Sequence, residues 1–205
     1  MLCRPYSLCA PLIALSLTSA CFMSSQSVQV DRLDADTSTD LSGRWNDTDA
    51  RLVADQMIRD ALAHPWSDEA QARLQRRPVV VVQAIRNRSL EHIDTSIFVQ
   101  QLQRALLDSG RVDFVASAAE RQELREERRD QDLNASDETR KEMGGEIGAD
   151  YALGGEISAT LDRQGGTSIM SYQVTLKLID LATNRIAWTS LKKIKKRVQR
   201  AEMTW

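Results

Sequence analysis

Apolar residues alternate most cleanly near the carboxyl end. In "IMSYQVTLKLID" Met170, Tyr172, Val174, Leu176 and Leu178 fall on one side of an extended chain, and Ser171, Gln173, Thr175 and Lys177 on the other. A period of two with one apolar face predicts a half-buried antiparallel strand. "ADYALGGEISATL" before it and "RIAWTSLKKIKK" after it read as further strands, with a bulge expected at Gly154–Gly155, "DRQGGTS" as a loop and "LATN" as a turn. Upstream the period is helical. Val53, Met57 and Ala61 share a face with Ala54, Ile58 and Leu62, which predicts an amphipathic helix over 48–64, ended by Pro65 and followed by a short charged helix over 67–76. Pro78 then opens a run of four valines in "RPVVVVQAIRN", a buried strand by length and composition. "DTSIFVQQLQRALLDSG" returns to helical spacing, with Ile97, Phe98, Leu102, Ala105 and Leu106 apolar, Asp94 or Thr95 as cap and Gly110 as stop. "RVDFVAS" is a short strand. Ser117 and Glu120 form an S-x-x-E capping box for "SAAERQELREERRDQ", a very polar helix. After a break at Leu133–Asn134 a further helix is expected over 136–148, despite Gly144 and Gly145 within it. Strands and helices in this mixture predict an α/β (α+β) fold, a mixed sheet of about four to five strands with helices packed on it.

The first 41 residues follow neither period. Arg4 precedes an apolar run with Leu12, Ile13, Leu15 and Leu17, and the small residues Thr18, Ser19 and Ala20 follow it. This is a secretory signal pattern, and the run is too short for the roughly 20 apolar residues of a membrane span. The small residues end at Cys21, and the junction resembles a bacterial lipobox, with Leu17 four residues before the cysteine and Thr18 three before. The expectation is a signal peptide over 1–20 and a lipid on the Cys21 thiol. Phe22 follows rather than an aspartate, which by resemblance to the sorting rule of enteric bacteria implies the outer membrane, facing the periplasm. The segment to residue 41 is rich in Ser, Thr and Asp and reads as a tether, about 70 Å long at full extension. The expected organisation is signal peptide 1–20, lipidated cysteine and tether 21–41, helical extension 42–76, globular domain 78–196 and basic tail 197–205.

Composition narrows the function. The three cysteines all lie in the first 21 residues, so the rest of the chain has neither a disulfide nor a zinc cluster. Net charge is −2 and becomes −3 when Arg4 is removed with the signal, too balanced for a nucleic-acid binder. There are two histidines. His64 lies at a helix end, where it packs or complements the negative end. His92 lies between Glu91 and Asp94 with no second histidine near, a poor metal site. "GGEIG" at 144–148 superficially resembles a phosphate loop but ends a helix and precedes a strand, the reverse of the order a dinucleotide site needs. The acidic string Asn46-Asp47-Thr48-Asp49 suits a helix start better than calcium. Glu123, Glu126, Glu127 and Asp130 alternate with arginines as a solvated charge network. "KKIKKRVQR" at 192–200 is a strand end running into a solvated basic tail. The expectation is a protein without catalysis, cofactor or metal.

Two stretches carry a family resemblance. "ELREERRDQDLNASDETRKEMGGEIGADYALGGEI" and "YQVTLKLIDLATNRIAWTSLKKIKK" resemble the LpoB family, lipoprotein activators of penicillin-binding proteins, over about residues 78–196. The resemblance implies a fold similar to the amino-terminal domain of the TolB translocation protein. It implies a non-catalytic outer-membrane lipoprotein that binds a bifunctional penicillin-binding protein and stimulates glycan polymerisation and cross-linking, with peptidoglycan as a further candidate contact. This chain departs from well-known members in its tether, which has about 20 residues and no proline where theirs is long and proline-rich. The alternative is an assembly or secretion-accessory lipoprotein of the outer membrane, since lipoproteins of the curli-secretion type have a related core. A partner surface needs exposed arginine and aromatic groups, so Arg121, Arg125, Arg128 and Tyr172 are the candidate contacts.

Overall fold

The computed structural model describes residues 29–139 and 145–199. The chain divides into two units, Met1–Ala35 and Asp36–Trp205. Of the first, residues 29–35 are described; they are exposed and have no regular structure. The signal peptide and Cys21 lie outside the described residues.

The second unit runs α1 (Asp47–Ala63), α2 (Trp66–Leu74), β1 (Val79–Asn87), α3 (Ser96–Asp108), β2 (Asp113–Val115), α4 (Ala118–Asn134), β3 (Tyr151–Gln164), β4 (Thr167–Asp180) and β5 (Ile186–Gln199). The strands form one mixed sheet in the order β2-β1-β3-β4-β5. β1 pairs in parallel with β2 and β3, while β3, β4 and β5 form an antiparallel meander. The described residues therefore form an α+β fold of five strands and four helices. The alternation of β4 decides which face is inside: Tyr172, Val174, Leu176 and Leu178 are buried together with Leu153 and Ile157 of β3 and Trp188 of β5. α1 and α3 supply the opposing layer through Val53, Met57, Phe98 and Leu102, all fully buried. Asn46 caps α1 through a reciprocal box with Asp49, so the acidic string at 46–49 starts a helix. α1 packs on α3 and β5, so it lies on the domain and does not lengthen a tether.

Several elements differ from the sequence reading. Over 136–148 the described residues show no helix: 137–139 form a turn, 145–149 are irregular, and 140–144 lie outside the description. The glycines there weigh against a helix by about 1 kcal/mol each. β3 pairs with β4 without interruption through Gly154 and Gly155; the irregularity is on β1, where Val82 to Ile85 spans the length that Leu153 to Gly155 spans on β3. The β3–β4 hairpin closes on a two-residue Gly165–Gly166 turn, with Gly165 at φ +56°, so both strands run through most of the expected loop. β5 continues to Gln199, which places most of the basic run in the sheet. His64 serves the following helix: its Nδ1 accepts from the Trp66 N–H at 3.2 Å.

Part of the expected tether is fastened to the sheet. The Lys196 ammonium donates to Asp40 Oδ1 (2.8 Å) and to the Arg44 carbonyl (3.0 Å) and pairs with Asp49 Oδ2 (2.6 Å). Asn46 Nδ2 donates to the Thr39 carbonyl, and Arg51 to the Asp36 carbonyl.

Candidate partner-binding site

α4 keeps most of its surface in water. Ser117 and Glu120 close the expected capping box, Glu120 N–H to Ser117 Oγ at 3.3 Å and Ser117 N–H to Glu120 Oε2 at 2.7 Å, and no residue of the helix is buried. A helix without a buried face needs charge pairs or a partner. Arg121, Arg125 and Arg128 follow one another at i, i+4 and i+7, so they share a side. The segment after the turn brings Glu146 against them. Arg125 grips it with two parallel bonds of 2.7 and 2.8 Å, and Arg128 stands 3.8 Å away. The Arg125 hydrogen bonds hold Glu146 below the usual carboxylate range despite some burial, with Arg121 and Arg128 adding attraction. Glu146 thus feels all three guanidinium groups, and Asp132, four residues after Arg128, lies on the same side of the helix. Leu124 and Ile147 lie exposed beside them, 48% and 68% open. Arg121, Leu124, Arg128, Glu146 and Ile147 line a shallow cleft of 250 Å³ with Val115 and Ala116, and Arg125 stands outside it. The three arginines expected as contacts are thus brought together; Leu124, Glu146 and Ile147 join them unannounced, because Glu146 sits in a glycine-rich stretch with no signal of its own.

Arg121 also borders a larger groove of 670 Å³, floored by β1 from Val81 to Ile85 and walled by α3 and the start of α4. The groove exists because β2 is short. It pairs with β1 only from Val79 to Val81, whereas β3 follows β1 to Asn87. The Arg121 Nε lies buried here with no hydrogen-bond partner among the described residues.

Tyr172 is not part of this surface. It is 1% exposed. Its hydroxyl donates to Glu91 Oε1 at 2.7 Å or to the Gly43 carbonyl at 3.1 Å, and its ring meets Trp45 edge-on at 5.4 Å. Burial, with Glu91 beside it, pushes the phenol well above its ordinary range. A tyrosine on the core-facing side of β4 anchors the domain and is out of a partner's reach. His92 is exposed, and no group of three metal-ligating side chains occurs among the described residues.

Two further ion pairs, one from α2 and one from the segment after it, reach the ends of β4 and β3 and predict a pH response. Arg73 donates to Asp180 Oδ2 and to the Tyr151 hydroxyl, each at 2.7 Å, while Arg76 holds Asp150 by two bonds of 2.7 and 2.8 Å. Burial opposes ionisation of both aspartates. For Asp180 the Thr183 and Ala182 N–H groups and Arg73 outweigh it; for Asp150, Arg76 and the Val79 N–H do. Both therefore sit below their ordinary value. Their stabilisation is complete above the unfolded pKa of about 4 and is lost as pH falls through the lower folded values. The melting temperature should hold between pH 7 and about pH 5 and drop steeply below about pH 4. A pH series of thermal melts checks this, and Asp150→Asn with Asp180→Asn should flatten the acid limb.

A family model described as peptidoglycan-synthase activator LpoB matches residues 49–194. The chain belongs to the LpoB family. The matched segment begins at Asp49, so the LpoB region takes in α1 and α2 as well as the sheet. Among solved structures the chain is similar to the LpoB carboxyl-terminal domain from Salmonella enterica, at 19% identity over 60% of this chain and 83% of that one, with a TM-score of 0.30. The same domain from Escherichia coli matches at 19% over 58% and 83%, TM-score 0.33. Lipoprotein GNA1162 from Neisseria meningitidis matches at 16% over 62% and 88%, TM-score 0.36. Among curated proteins none matches. No helix among the described residues is long and apolar enough to cross a membrane.

Proposed function

We propose that this protein is a non-catalytic envelope lipoprotein that binds a bifunctional penicillin-binding protein and raises its rate of glycan polymerisation and cross-linking. The observation that carries this reading is the LpoB match over residues 49–194, which runs from within α1 into β5. The lipobox-like junction at Cys21 supports anchoring by lipid at the outer membrane, with the domain in the periplasm. Residues 22–35 span at most about 50 Å however they are arranged, and Asp36 is already held by Arg51. The domain therefore acts close to its anchor, and the synthase must reach most of the way to it.

The contact surface in this reading is the arginine side of α4. The test mixes the chain from residue 22 onward with the bifunctional synthases of the same organism and follows glycan-strand formation from lipid-linked precursor. Faster polymerisation is expected. Alanine at Arg121, Arg125 and Arg128 together should weaken binding about tenfold or more, because exposed arginines beside apolar groups are common hot spots. Unchanged affinity in that variant would exclude α4 as the contact. A folded domain that neither binds nor accelerates any synthase would leave an assembly lipoprotein as the better reading.

A further inference from the structure

We propose that the open edge of β1, between α3 and α4, is a slot for a short extended segment of the synthase, and that this segment continues along α4 as an acidic stretch. The proposal rests on the activator reading and adds how the partner is held.

A strand needs partners for its main chain on both sides or water in their place. β1 has β3 along one side as far as Asn87, but β2 leaves it after Val81. The stretch Val82–Asn87 is about 20 Å long at strand spacing, and the 670 Å³ groove lies along its first part. The Thr95 hydroxyl reaches the Ile85 carbonyl only at 3.5 Å, the outer limit of a hydrogen bond, and does not replace a strand. An unpaired edge in a groove is the geometry that accepts an added strand: main-chain bonds give affinity and alternate side chains give specificity.

The two ends of the sheet are treated differently. The β5 edge carries Lys192, Lys193, Lys195 and Arg197, the kind of charge that discourages edge pairing. Val82, Gln83, Ala84 and Ile85, which line the groove, carry none, and the first charge on this edge is Arg86 beyond it. The register shift at Gln83–Ala84 would interrupt a long ladder, so the slot suits a short segment rather than another sheet.

Charge sets the composition of the occupant. Asp94 and Glu120 border the groove, each already accepting from the backbone at a helix start, at Ser96 and Ser117. They disfavour acids inside it, where Val82, Val99 and Val115 favour apolar side chains. Beyond Arg121 the sign reverses: among the described residues Arg121, Arg125 and Arg128 stand with Glu146 and Asp132 on this side of α4, which leaves one positive charge in excess along the exit. An apolar segment followed by acidic residues complements both parts.

Hydrogen exchange on the full chain, free and with the purified synthase, tests this while polymerisation is followed in parallel. The amides of Val82–Asn87 that point away from β3 should exchange at least tenfold more slowly in the complex. Ala119→Trp, an exposed change that fills the groove, should weaken synthase binding at least tenfold with unchanged thermal unfolding. Added salt should weaken binding less in Arg125→Ala/Arg128→Ala than in the parent. Stimulation with no added protection at Val82–Asn87 would overturn the slot and leave the activator reading standing. Protection of those outward amides already present in the free chain, from a second copy or from the chain's own ends, would give the groove another occupant and also overturn the slot. Neither binding nor stimulation would overturn both.

Discussion

Replacing Lys196 with methionine is expected to destabilise the domain by about 3–5 kcal/mol, the cost of removing one partner of a buried ion pair. The ammonium has three protons and three acceptors: Asp40, Asp49 and the Arg44 carbonyl. The Lys196 side chain is 10% exposed and that of Asp49 2%, so without the lysine Asp49 keeps a charge that water cannot reach. Asp49 also accepts from the Asn46 N–H in the capping box, so the start of α1 loosens with it. Urea unfolding measures the loss, and Asp49→Asn in the Lys196→Met background should recover part of it, because the orphaned charge is then gone. Burial opposes the lysine's charge, but hydrogen bonds to Asp40 and Asp49 prevail and hold its pKa above the ordinary value. The sign follows: this stabilisation is present below the unfolded pKa of about 10.4 and fades as pH rises through the higher folded one. A loss under 1 kcal/mol would show that the pair is open to water and that residues 36–46 are not held as described.

Local patterns carried much of this fold. The β4 alternation, the Ser117–Glu120 box and the polar character of α4 are each set within a few residues, and the structure keeps all three. Features made by distant pairs were not legible. Lys196 shares a face with Met170 and Ile194, yet inside "KKIKKR" it reads as solvated; its partner Asp40 lies 156 residues away. Tyr172 shows the converse. Its parity put it on the apolar face of β4, but parity does not tell whether a face is covered, and α1, α3 and Trp45 cover it. The arginine cluster was visible as spacing, whereas Glu146 reaches it only through the turn after α4. The groove follows from one length mismatch, three residues in β2 against nine in β1, which hydrophobic patterning does not encode.

Gly155→Ala should destabilise by about 3 kcal/mol or more, at the upper end for overpacking. β3 is central, with β1 on one side and β4 on the other. A Cβ on Gly155 would lie 2.2 Å from the Thr175 carbonyl oxygen and 3.1 Å from the Leu176 Cα, both backbone atoms of β4. No rotamer relieves such a clash; the strand itself must move, and it is held by a continuous ladder from Tyr151–Asp180 to Gln164–Thr167. The face involved is the core face, so a shifted β4 also displaces Val174 and Leu176 from α1 and α3. Gly154→Ala is the control. Its Cβ would meet the Gln83 side-chain oxygen at 3.3 Å, and a flexible amide can turn away, so the cost there should stay below about 1 kcal/mol. Urea midpoints of the two variants separate steric exclusion at Gly155 from a general preference for glycine in this strand. Equal small losses would mean that β3 and β4 have slack at Gly155. A large loss at Gly155 alone would place the tightest approach of the sheet beside Ile85, so the β1 edge that borders the groove is braced by the best-packed part of the ladder.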